Sequence, residues 1–261
     1  MTIARYWFFT FLLMLNGYPL YSQDSLSFYF KKVQQKFWNG DRDGAIADMT
    51  RIITAYPTDS TYYFRGKLEV LHDPQGAIDD ATKSLQLNPN QAKAYSLRGA
   101  AHERLSDFEQ YHWPPQGLRD LDSAERDFSR AIEFETSVAE YADDYYQRAG
   151  VRCKLQRLNE ALQDYNQYFI LANVDSIGNP YPYYFRGFCR FNLHDYLGAL
   201  EDGIKCQKMS PESDEGHELK ALAEFALGYK KEACEEFSKF LKPGVVGEHN
   251  RHWGLFKEFC K

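Results

Sequence analysis

The stretch GALEDGIKCQKMSP, residues 198–211, decides how the rest of this 261-residue chain is read. Near its start an alanine is followed three residues later by an acid, and a proline closes it. Five other stretches share the texture: GAIADMTRIITAYP (44–57), GAIDDATKSLQLNP (76–89), SAERDFSRAIEFET (123–136), EALQDYNQYFILAN (160–173) and EACEEFSKFLKPGV (232–245). Their alanines, Ala45, Ala77, Ala124, Ala161, Ala199 and Ala233, lie 32, 47, 37, 38 and 34 residues apart by subtraction. A period of roughly 20–50 residues marks a repeat array, in which neighbours supply the core that no single unit can build.

Upstream of each alanine lies a second helix-like segment carrying a small residue: Gly66, Gly99, Ala149, Gly187 and Ala221, with Val33 in the first unit. Two helices joined by a tight turn approach closely only where side chains are small. A glycine inside a helix costs about 1 kcal/mol relative to alanine, and close packing is the compensation. The turns between the two segments carry Gly, Asn, Asp and Pro, which stop one helix and start another. Pro57, Pro89 and Pro211 then end second helices.

A basic residue precedes the small one in every unit: Lys32, Arg65, Arg98, Arg148, Arg186 and Lys220. The acids three after the alanines are Asp48, Asp80, Asp127, Asp164, Asp202 and Glu236. They are expected to pair between helices as a ladder that fixes register. The alternative is a solvated charged face, where such pairs contribute about 0–1 kcal/mol each.

The small residue, the alanine, an aromatic four residues after it (Phe128, Tyr165, Phe237) and the closing proline together resemble the tetratricopeptide repeat family over about residues 26–245. Departures are Val33, the absence of a closing proline in units three and four, and Gly203 where an aromatic is usual. The resemblance implies an all-α, right-handed superhelix of about six antiparallel helix pairs, with a C-terminal capping helix. The expected organisation is a leader at 1–22, repeats at 23–245 with an insertion at about 106–120, and a cap at 246–261. The insertion, SDFEQYHWPPQGLRD, carries Phe108, Tyr111, His112 and Trp113. It reads either as a contact loop or as a lid folded back on the helices.

Residues 1–22 have one charge, Arg5, an apolar run from Tyr6 to Leu15, and then Asn16, Gly17, Pro19 and Ser22. That is the pattern of a secretory signal peptide cleaved after Ser22. A retained N-terminal anchor is the alternative, although the run is shorter than the about 20 apolar residues a span needs. The expected location is periplasmic or secreted. The formal charge of the whole chain is −6, with both signs interspersed. This lacks the basic stripe of a nucleic-acid binder, and no membrane span is expected once the leader is removed. Export permits disulfides. A cysteine in EAC within the last repeat, with another at the extreme C-terminus, resembles the ends of exported tetratricopeptide proteins of Bacteroidota-type bacteria. The resemblance implies a Cys234–Cys260 bridge, worth roughly 3 kcal/mol in chain entropy; two free buried thiols are the alternative. Cys153, Cys189 and Cys206 read as small buried residues.

Seven scattered histidines form no H-E-x-x-H, and neither a P-loop, G-x-S-x-G nor a Rossmann fingerprint occurs. No catalytic residue, cofactor or metal ligand is assigned, and the chain is read as a non-enzyme. By the resemblance, first helices line a concave groove. On that projection Tyr146, Lys154, Tyr181, Tyr184, Phe188, Phe191 and Phe225 face a partner, with Phe30, Phe37, Trp38, Tyr63, Lys67, Arg104 and Asn192 elsewhere along the wall. Aromatic side chains dominate binding hot spots. The competing reading makes these rings part of the core. Two functions fit: a scaffold that binds an unidentified partner protein or peptide in the groove, or a glycan- or peptide-binding accessory module of an envelope transport complex.

Overall fold

The computed structural model describes residues 23–109, 116–174, 178–240 and 260. The expected leader (1–22) lies outside these residues, as does the proposed cap (246–261) except for Cys260. Among the described residues the regular structure is helical, and twelve helices follow one another. They are α1 Gln23–Trp38, α2 Arg42–Ala55, α3 Asp59–Glu69, α4 Pro74–Leu87, α5 Ala92–Glu109, α6 Gln116–Phe134, α7 Val138–Lys154, α8 Leu158–Leu171, α9 Tyr181–Asn192, α10 Tyr196–Met209, α11 Asp214–Ala226 and α12 Lys230–Phe240. None is long and apolar enough to cross a membrane.

The chain divides into two compact units, residues 1–135 and 136–261. The first holds α1 to α6 and the second α7 to α12, each packed as three sequential pairs. Within each unit the successive pairs also pack on one another, α3 on α5 and α9 on both α7 and α11.

Local chemistry sets the helix ends. Asp41, Asp73 and Asp195 cap α2, α4 and α10 by accepting from the backbone N–H of Gly44, Gly76 and Gly198 at 3.0, 2.9 and 3.0 Å. Each cap satisfies one of the donors a helix start leaves open. Thr58 and Thr61 form a reciprocal capping box on α3. In four of the pairs the turn carries a left-handed residue: Gly40 and Gly228 supply it at φ +85° and +87°, while Gln156 and His194 adopt it at +60° and +63°.

All six repeat alanines are fully buried, and so are Phe128, Tyr165 and Phe237 at the aromatic position four residues later. The ladder acids Asp80, Asp127, Asp164, Asp202 and Glu236 are at most 5% exposed. Each pairs within its own repeat. Arg65, Arg98, Arg148 and Arg186 grip Asp80, Asp127, Asp164 and Asp202 with Nε and a terminal nitrogen at 2.6–3.0 Å. Lys220 Nζ lies 2.6 Å from Glu236. The first repeat corrects the sequence expectation: Lys36, one helical turn past Lys32, meets Asp48 at 2.6 Å, and Lys32 lies over the Phe28 ring.

The insertion is also corrected in part. Residues 116–120 begin a 19-residue α6, against 14 for the second helices α2, α4, α8 and α10, and 106–109 end an 18-residue α5, against 11 to 17 for the other first helices. Much of the extra sequence therefore lengthens a helix pair. Tyr111, His112, Trp113 and the Pro114–Pro115 pair lie outside the described residues.

Close packing explains the glycines in the first helices. A Cβ on Gly187 would stand 2.8 Å from Asp202 Cβ and against Leu219 Cδ2; on Gly99 it would meet the Phe128 ring at 3.2 Å. At Gly150, by contrast, only Tyr165 Oη comes within 4.0 Å. Gly187→Ala therefore lowers stability by about 1–3 kcal/mol despite its better helix propensity. Gly150→Ala raises stability by up to about 1 kcal/mol. Thermal unfolding of both variants beside the parent checks the sign of each.

Burial first, and then the charge of Asp80, pushes the Glu69 carboxyl up to about 7. Between about pH 4.5 and 7 the folded chain holds a proton that the unfolded chain has released, so stability falls as pH rises through that window. Glu69→Gln is expected to stabilise the protein by roughly 1–3 kcal/mol at pH 8 and by nothing measurable near pH 4. Equal Tm gains at both pH values would contradict this.

Candidate partner-binding face

Helix α9 has the sequence YPYYFRGFCRFN, six aromatic rings in twelve residues. Pro182 near its start suits the fixed φ of a first turn, and Asn179 Oδ1 accepts the Tyr181 N–H at 3.1 Å. Helical geometry then distributes the rings around the axis. Tyr183 is buried against Phe169, with centroids 4.8 Å apart. The Arg186 guanidinium lies 3.6 Å from the Phe169 ring centroid while its nitrogens hold Asp202. One side of α9 is thereby locked.

The sequence-predicted residues divide between wall and surface. Tyr146 is half-buried, 5.1 Å from Tyr168 and 5.9 Å from Tyr165 by centroid, and belongs to two core clusters. Tyr184 is half-buried, and its hydroxyl donates to Glu218 at 2.9 Å. Phe188 tilts against it at 6.1 Å. Phe191 and Phe225 pack on the Ala221–Leu222–Ala233–Phe237 cluster together with Cys260. These five rings are therefore largely wall, each half-buried against neighbouring rings or core clusters. Tyr181 is 45% exposed, and Lys154 is exposed at the end of α7. In the first unit Phe30 likewise packs on Phe64 at 4.7 Å, while Trp38 is 81% exposed.

The sequence reading missed Phe185. It is 41% exposed, lies four residues after Tyr181 and stacks with it at 6.3 Å and 28°. It also touches Tyr146 edge-on at 6.4 Å. Four-residue spacing on one helix face was the available signal. Tyr181, Phe185 and Tyr146 form a stepped aromatic surface.

Beside Tyr146 opens a cleft of about 740 Å³, lined by Val138, Ala139, Ala142, Asp143, Gln147, Tyr168, Leu171, Ala172, Asn173 and Asn179. Burial, and then Glu140, pushes the Asp143 carboxyl up. The cleft thus combines ring faces with amides and one carboxyl group. Among the described residues no three His, Cys, Asp or Glu side chains gather as a metal site. At the other end of the unit Cys234 and Cys260 are bonded, their Cα atoms 5.4 Å apart.

No protein-family model matches the chain. Human tetratricopeptide repeat protein 13 is 29% identical over 208 residues, which is 77% of this chain and 22% of that protein. The structure of Pseudomonas aeruginosa PilF superposes with a TM-score of 0.67 at 12% identity, covering 90% of this chain and 96% of that one. YrrB, described as a TPR protein with an unusual peptide-binding site, superposes at 0.59 with 16% identity over 73% and 89% of the two chains. The chain thus shares the paired-helix fold of these solved structures and a distant sequence similarity with a tetratricopeptide repeat protein.

Proposed function

We propose that the chain is a non-catalytic scaffold that binds a protein or peptide partner on the second unit, after export and removal of residues 1–22. The observation that carries this reading is the exposed Tyr181–Phe185 stack beside Tyr146. Aromatic rings held on a rigid helix bury large area at small entropic cost. Tyr184 packs against Phe185 at 5.3 Å, Phe188, Phe191 and Phe225 continue the aromatic wall along α9 and α11, and Lys154 adds a cation at the end of α7. The function as an accessory module for a glycan or peptide is favoured by a different feature. The cleft sets Asp143, Gln147, Asn173 and Asn179 around the Tyr146 and Tyr168 rings, the mixture of flat faces and amides that a sugar or a peptide backbone uses.

The Tyr181→Ser, Phe185→Ser double variant separates the two. Both residues are exposed, so Tm is expected to stay within about 2 °C, as for surface changes generally. A partner recovered by affinity purification from native envelope extract with the parent chain is expected to be lost with the variant. Undiminished recovery would place the protein interface elsewhere. A Gln147→Ala variant that alone abolishes binding of a glycan or peptide fragment would favour the accessory module.

A further inference from the structure

Three cysteines outside the Cys234–Cys260 bridge are reduced in the structure, and two of them meet. Cys153 stands on the last turn of α7 and Cys189 in the middle of α9, neighbouring first helices of successive repeats. Cys189 is 1% exposed and lies in one core cluster with Ala149, Ala161 and Tyr165; Cys153 packs against that cluster and is half-buried. The two thiols share a hydrogen bond, and Cys153 also meets the Tyr165 hydroxyl. The Leu158 carbonyl, 3.2 Å from Cys189 Sγ, is an alternative acceptor for the single Cys189 proton. Cys206 belongs to a different cluster, around Ala142, Tyr168 and Tyr183.

We propose that Cys153 and Cys189 are an oxidisable dithiol, closing to a second disulfide that ties α7 to α9. Only the thiolate attacks, so the accessible partner with the more acidic thiol leads. Cys153 fits that role: it is the more exposed of the pair, and the bond from Cys189 holds its thiol below the ordinary range. Cys189, sharing the same bond and buried, is held above it. Oxidation requires a disulfide-bearing oxidant. The Cys153 thiolate attacks one sulfur of that disulfide and expels the first thiolate, leaving a mixed disulfide. Cys189 then gives up its proton and attacks Cys153 Sγ, and the second thiolate leaves. Two protein thiols lose two electrons and two protons, and one oxidant disulfide becomes two thiols. The closed ring spans 36 residues by subtraction and crosses the junction between the fourth and fifth repeats.

The test uses the whole chain, incubated in its native state with oxidised glutathione, quenched with acid, alkylated and digested. The expected result is a Cys153 peptide joined to the Cys189 peptide, absent after dithiothreitol, with Cys206 still alkylated. Tm is expected to rise by several degrees on oxidation in the parent and in Cys206→Ser, and to stay unchanged in Cys153→Ser. A glutathione adduct that persists on Cys153 without any joined peptide would overturn the proposal, as would a Cys206 cross-link or full alkylation of Cys153 after oxidation. The parent's peptide map decides the question even if a serine variant folds poorly.

Discussion

A buried carboxylate facing a small residue is the constraint on which the rest of this structure depends. Asp80, Asp127, Asp164, Asp202 and Glu236 are almost fully shielded from water. A buried charge left without a partner costs several kcal/mol, so its ion pair is obligatory even where the net gain from the pair is small. The basic residue that reaches each acid sits immediately before the small residue of the first helix. Asp202 Cβ is also one of the atoms that a side chain at Gly187 would strike, and Asp80 Cβ stands 3.2 Å from the equivalent point at Gly66. The glycine and the acid are therefore two halves of one contact. The glycine admits the second helix, and the arginine beside it neutralises what that helix brings.

The position one turn after the ladder base tunes each repeat. In the fourth and fifth repeats it is Arg152 and Arg190, which reach the same acids at 2.7 and 3.0 Å, so one carboxylate serves two guanidinium groups. In the second and sixth it is Glu69 and Glu224, so one cation stands between two acids. Burial raises both glutamates' pKa values, and the nearby ladder acids add to the effect. Glu236 goes the other way. Burial pushes it up, but hydrogen bonds from Lys220, Lys239 and His217 outweigh this and hold it down at about 2. The same scaffold thus carries acids displaced in opposite directions by their neighbours one turn away.

Most of the architecture was legible because its determinants are local. Helix pairs, the fully buried alanines and five of six ladder pairs follow from residues within one repeat. What escaped depends on distances that a period does not encode. Lys32 and Lys36 lie one turn apart, so the sequence offers both to Asp48, and the structure pairs it with Lys36. The segments at 106–109 and 116–120 are polar and helix-compatible, so an excess of residues could not be told from a loop. Cys153 and Cys189 stand four and two residues after their small residues, on different sides of their helices. Reading each cysteine singly hid that they face one another. Phe185 was missed because the inward projection is a rule about registers, whereas ring exposure depends on which neighbour fills the adjacent gap.

That last point bears on what the aromatic face is for. Scattered exposed apolar residues are normal on soluble proteins, and Leu197 or Ile170 need no functional account. Tyr181 and Phe185 differ because they stack on each other and step onto Tyr146, which is itself wedged between Tyr165 and Tyr168. Phe185 also directly precedes Arg186, whose guanidinium is held on one side by Asp202 and on another by the Phe169 ring. The backbone that presents Phe185 is thus anchored by the ladder itself. A ring presented from an anchored backbone has less freedom to lose on contact, and pre-organisation of that kind favours binding. The interaction that sets helix register therefore also holds the exposed rings in place.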